Sequence, residues 1–92
     1  MGTVLSGSFR FRYPALLHPR MRLYADRLEL SGWQLSGRYV RRLSLQQVLQ
    51  ADAPTEETLL IWLADGEMLR LEVTDARQWR DAIGGCLIRG ES

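Results

Sequence analysis

The stretch TLLIWLADGEMLRLEVTDARQWRDAIGGCLI, Thr58 to Ile88, decides how this chain folds, because it reads as strand, tight turn, strand and one amphipathic helix. Leu59, Ile61 and Leu63 alternate with Leu60, Trp62 and Ala64, and Leu69, Leu71 and Val73 alternate with Met68, Arg70 and Glu72. A two-residue Asp65-Gly66 turn would set Ile61 against Arg70 and mix charge into the apolar face. A three-residue loop, Ala64-Asp65-Gly66, with Gly66 in the left-handed region, instead sets Leu63 across from Glu67, Ile61 from Leu69 and Leu59 from Leu71. A slip of one residue inverts every side chain, so the sequence predicts the longer loop and a positive φ at Gly66. Asp75, three residues before Gln78, has the spacing of a helix cap. Ala76, Trp79, Ile83 and Cys86 or Leu87 then share one apolar stripe that needs a sheet to cover. Gly84-Gly85 costs roughly 1 kcal/mol per glycine relative to alanine, which predicts a last turn that is loose or closely packed. The helix is expected over about 75–88.

Upstream the pattern is strand after strand. Leu5, Gly7, Phe9, Phe11 and Tyr13 alternate with Ser6, Ser8, Arg10 and Arg12, a period-two strand with one polar face. Pro14 and Pro19 bracket a connection. Met21 to Ala25 and Leu28 to Leu35 supply two strands around Asp26-Arg27, with a bulge expected near Ser31-Gly32, where apolar parity shifts to Trp33 and Leu35. Gly37 marks a turn, Arg38 to Ser44 and Gln47 to Ala53 supply two more strands, and Asp52 to Glu57 is a long polar connection. The expectation is a mainly β chain of seven strands closed by one C-terminal α-helix.

That order, with LYADRLEL (Leu23 to Leu30), RRLSLQQV (Arg41 to Val48) and DARQWRDAI (Asp75 to Ile83), resembles pleckstrin-homology-like domains, particularly small bacterial ones. The resemblance covers most of the chain and rests on strand order plus the helix tryptophan, with no catalytic signature. It implies two near-orthogonal antiparallel sheets forming a partly open barrel, one end plugged by the helix with Trp79 in the core. An SH3-like barrel is the competing fold, but it does not normally end in a long tryptophan-bearing helix. The resemblance also implies an anion site. Arg12, Arg20 and Arg22 flank the first loop, where lipid-binding relatives hold inositol phosphates with basic residues, and arginine offers planar, bidentate donors to phosphate. Here the leading position is arginine instead of the usual lysine, and Pro14 and Pro19 alter the loop. The alternative is that the three are solvated strand ends. Leu16 and Leu17 either dip into a bilayer or pack over the barrel end.

Length points to one domain over residues 1–92, since a chain of this size buries only about 60 to 65% of its unfolded surface. Its 46% hydrophobic and 25% charged content is ordinary for a globular protein. With no membrane-length apolar run or signal-peptide pattern, a cytoplasmic location is expected. A lone Cys86 cannot form an internal disulfide, which fits a reducing compartment. The formal net charge is +1, yet residues 1–42 carry eight arginines against two acids while residues 43–92 carry four arginines against nine acids. Such a basic half can attract an anionic lipid, a nucleic acid, an acidic protein or the acidic half of another copy. The alternative is that an interleaved barrel mixes the two halves in space.

On the hairpin's outer face the predicted register puts Leu60, Trp62 and Met68 beside Arg70, an apolar strip that the core does not need. Exposed strips of this kind mark partner sites, and an arginine over a tryptophan adds about 0.5 to 1 kcal/mol by cation–π attraction. The alternative is that another segment of the chain covers the strip. Catalysis finds no constellation. His18 is the only histidine and has no acid or nucleophile at a motif spacing. Cys86 sits on the apolar stripe, where a thiol acts as a small hydrophobe. No Cys/His set has zinc spacing, and no glycine-rich phosphate loop follows a strand. The expectation is a non-enzymatic module with no metal and no cofactor. It binds protein or a second copy of itself through Leu60, Trp62, Met68 and Arg70, or alternatively an anionic phospholipid through Arg12, Arg20 and Arg22. Nucleic acid is disfavoured because aromatic and basic residues are not interleaved as base stacking requires.

Overall fold

The computed structural model describes residues 3–11 and 16–90. In chain order the strands are β1 (Leu5–Gly7), β2 (Leu17–Leu23), β3 (Arg27–Gln34), β4 (Gly37–Ser44), β5 (Val48–Asp52), β6 (Thr58–Leu63) and β7 (Met68–Glu72), followed by α1 (Ala76–Gly90). A 3-10 turn, Leu45–Gln47, joins β4 to β5, and the Ser44 hydroxyl caps it by accepting from the Gln46 N–H at 3.3 Å. The strands form two antiparallel meanders, β1-β2-β3-β4 and β5-β6-β7. Met21, Leu23, Leu28 and Leu30 from the first sheet and Leu59, Ile61 and Leu71 from the second enter one core with Ile83 of the helix, all fully buried.

The hairpin has the predicted register: Leu59 faces Leu71, Ile61 faces Leu69, and the Leu63 N–H donates to the Glu67 carbonyl at 2.8 Å. Gly66 has φ +93°, a conformation that glycine adopts without a Cβ penalty. Asp75 caps the helix, its Oδ1 accepting from the Gln78 N–H at 3.3 Å. The Glu56 carbonyl satisfies the Ala76 N–H at 2.8 Å, tying the β5–β6 loop to the helix start. Ala76, Trp79, Ile83 and Cys86 are all buried, as the stripe requires. The helix continues through Gly84 and Gly85 to Gly90, past the expected end near Ile88, and a Cβ at Gly84 would meet nothing within 4 Å. Close packing is therefore not what that glycine serves.

Three expectations change in the first sheet. The N-terminal strand does not run on in one sheet. It leaves β2 after Gly7, and Arg10 instead bridges Glu72, with backbone bonds of 2.8 and 2.9 Å, so this segment crosses from the first sheet to the second. Tyr13 and Pro14 lie outside the described residues. The second strand begins at Leu17 and includes Pro19, which the sequence assigned to a loop, and it ends at Leu23 instead of Ala25. The bulge lies on β2 and not on β3. Leu17 faces Trp33 and Arg20 faces Ser31, so β2 carries one extra residue around His18, whose φ is +51°. Strand β3 pairs with β4 without a break from Arg27 to Gln34, so Leu28, Leu30 and Gly32 face inward while Trp33 points to solvent, 52% exposed. A bulge absorbs an extra residue on whichever strand can make the left-handed step, and here the residues beside Pro19 do so.

Candidate binding surfaces

The inward residues of the two sheets share one core, so their outer faces turn in different directions and present different chemistry. Pairing defines the rows of the first face. Leu17, Trp33 and Arg38 form one row, Arg20, Ser31 and Val40 the next, and Arg22, Glu29 and Arg42 the third. Leu17 is 65% exposed, and Val40 and the turn residue Leu35 are also exposed. Glu29 is the acid of this face. It accepts from Arg42 Nε at 3.0 Å and from Arg27 Nε at 3.3 Å. Desolvation works to raise the Glu29 carboxyl, but hydrogen bonds from Arg42 and Arg27, and their charges, hold it below the usual carboxylate range. Among the described residues no carboxylate pairs with Arg20, Arg22 or Arg38.

The second face carries the hairpin strip. Gln50, Trp62 and Met68 form one row, Asp52, Leu60 and Arg70 the next, and Thr58 and Glu72 the last. Met68 on β7 is 46% exposed and Leu49 on β5 is also exposed, whereas Leu60 and Trp62 on β6 between them are half-buried. All four sequence-predicted residues thus share one face. Arg70 lies across from Leu60, and the cation–π contact found among the described residues is Arg27 over Tyr24 at 4.0 Å, so the expected Arg70–Trp62 contact is not formed. Leu49, which the period-two reading passed over, joins the strip because the ladder shifts register between Val48 and Gln50.

The charge halves largely separate. Strands β1–β4 of the first sheet come from residues up to Ser44, while residues 48–75, which include seven acids and one arginine, build the second sheet and its loops, with Arg10 crossing over to Glu72. Among the described residues one ion pair joins the two sheets, at the β4 edge. Arg41 Nη1 donates to Glu67 Oε2 at 3.1 Å and Nη2 to Oε1, and the hydrogen bond to Glu67 raises the Arg41 guanidinium above its ordinary value against its desolvation.

Of the alternative anion site, Arg12 lies outside the described residues, and Arg20 and Arg22 stand exposed on the first face, with Arg38 and Arg42 on the same face across β3. The leucine pair divides. Leu16 packs on the core over Gly32, while Leu17 stays in solvent. The remaining concavities are shallow. One of about 280 Å³, at the crossing of the N-terminal segment, is lined by Ser8, Phe9, Arg10, Glu57, Glu72, Val73 and Thr74. One of about 190 Å³ lies beside the Arg41–Glu67 pair. His18 is exposed on the bulge and Cys86 is buried in the core. Among the described residues no group of three His, Cys, Asp or Glu side chains is placed to hold a metal ion, and no helix is long and apolar enough to cross a membrane.

This architecture is similar to two solved structures. The crystal structure of human RhoA in complex with the DH/PH fragment of PDZRHOGEF matches with a TM-score of 0.73 at 16% identity over 96% of this chain. The linker-DH/PH domains of p115-RhoGEF match with a TM-score of 0.69 at 14% identity over 94% of this chain. This chain spans 29% of the length of each matched chain. No family model matches the sequence, and no curated protein does. The fold is pleckstrin-homology-like: mainly β, two antiparallel sheets and one C-terminal helix.

Proposed function

We propose that the chain is a single, non-enzymatic binding domain, of the small bacterial type that the sequence resembles, acting in the cytoplasm. Its working surface is the outer face of β5–β7, where Leu60, Trp62, Met68 and Arg70 meet a protein partner or a second copy. The observation that carries this reading is the apolar patch itself. Trp62 and Met68 lie on the solvent side of a sheet whose inner side already supplies the core, and Leu49 is exposed at the β5 register shift beside Gln50. Aromatic side chains on a flat face with polar neighbours are the usual anchors of protein contacts. Trp62→Ala is expected to weaken association by about 2 kcal/mol, roughly thirtyfold in Kd. Analytical ultracentrifugation and pull-down of the folded variant measure this. Unchanged hydrodynamic size together with an unchanged set of captured proteins would overturn the reading.

A second reading, an anionic phospholipid held by Arg12, Arg20 and Arg22, is favoured by the exposure of Arg20 and Arg22, with Glu29 engaged by Arg27 and Arg42 instead, and by the exposed Leu17 on the same face. Vesicles containing a phosphoinositide are then expected to pellet the protein at physiological salt, and Arg20→Glu with Arg22→Glu to abolish it. Equal pelleting with neutral vesicles removes this reading.

A further inference from the structure

The first sheet's outer face is unused by the protein-binding reading of the Trp62 strip. There Trp33 lies between Leu17 and Arg38 across the strands, and Val40 and Arg20 occupy the adjoining row. Its exposed arginines outnumber Glu29, which is already held by Arg27 and Arg42. The second face is apolar around Trp62 and Met68 and carries the opposite charge balance: Asp52 and Glu72 on the sheet and Glu57 and Asp65 in the adjoining loops outnumber Arg10 and Arg70. We propose that the Trp33 face of one copy docks on the Trp62 face of the next, so that copies join head to tail. This rests on the reading of the Trp62 strip as a protein-binding surface and commits that strip to one occupant.

Charge decides the pairing. Two Trp33 faces would bring arginines against arginines, and like charges brought together across an interface repel. A Trp33 face on a Trp62 face brings arginines to a surface where four carboxylates outnumber Arg10 and Arg70, and covers both apolar patches at once. Because the two faces turn away from a shared core, one copy can use both. A heterologous contact that does not close on itself propagates as an open chain.

The test uses purified protein in sedimentation velocity across a concentration series, with Trp33→Glu blocking one face and Met68→Glu the other. Both positions are exposed, and a melting curve for each variant verifies that it is folded. The wild type is expected to grow past a dimer with concentration and to shrink as salt rises. Each variant alone is expected to stay monomeric, and an equimolar mixture to form a dimer and stop, since each variant keeps one working face. Arg38→Glu, which changes charge without removing apolar contact, is expected to weaken assembly by about tenfold or more. A wild type that stays monomeric throughout overturns the proposal, as does a mixture that stays monomeric while the wild type assembles. If Trp33→Glu assembles normally and Met68→Glu does not, head-to-tail docking falls and the Trp62 strip survives as a binding surface. If Met68→Glu assembles normally, both fall.

Discussion

Trp79→Ala is expected to lower the unfolding free energy by about 3–5 kcal/mol, out of a total that for domains is about 5–15 kcal/mol. The indole is 4% exposed, and its Cζ2 stands 3.3 Å from where a Cβ on Gly7 would be. Truncation therefore opens a void between α1 and β1, the two elements at the ends of the described fold, and neither can collapse into it without leaving its own partners. Ala76, Ile83 and Cys86 lie on the same stripe, so the helix loses its central contact and not a peripheral one. Urea denaturation followed by circular dichroism measures the loss as a lower midpoint at an unchanged m-value. Trp79→Phe, which refills part of the volume, should recover part of the loss. A cost below about 1 kcal/mol for the alanine variant would mean that the helix does not depend on its tryptophan, contrary to this packing.

Gly32→Val is the second large effect, and it acts by crowding. A Cβ at Gly32 would stand 3.0 Å from the Leu16 Cβ and 3.1 Å from its Cδ1. The Leu16 Cβ is fixed to the backbone just before the β2 bulge, so the chain itself must shift and not merely a flexible side-chain end. Overpacking of this kind costs about 1–3 kcal/mol. Leu16→Ala removes two of the three close atoms, the Cγ and the Cδ1. The double variant is then expected to lose less than the sum of the singles, a coupling that thermal or urea unfolding resolves. Strict additivity would show that Leu16 does not pack on Gly32.

The hairpin and the helix were legible because each rests on local periodicity. In β6 and β7 one loop residue more or fewer inverts the apolar face, so the pattern of Leu59, Ile61, Leu69 and Leu71 admits a single register. In α1 the three- and four-residue spacing of Ala76, Trp79 and Ile83 leaves no second face to bury. The candidate strip followed from that register, and Leu60, Trp62, Met68 and Arg70 do lie together.

What sequence could not supply was decided by partners far along the chain. The alternation from Leu5 to Phe11 reads as one strand because period two is the same in either sheet, and only the Glu72 backbone captures Arg10 and ends β1 at Gly7. Trp33 and Leu35 were read as inward because they are apolar, yet large apolar residues also stand in solvent: the unbroken β3–β4 ladder turns Trp33 outward and leaves Leu35 exposed in the turn beyond it. The separation of charge is tertiary in the same sense. Arginines in the first 42 residues become a face only because β2, β3 and β4 are neighbours in one meander and the acidic segment forms a meander of its own. Local pattern determined which elements this chain makes and which side of each is greasy. Long-range hydrogen bonding decided which edges meet, and therefore which surfaces are left for a partner.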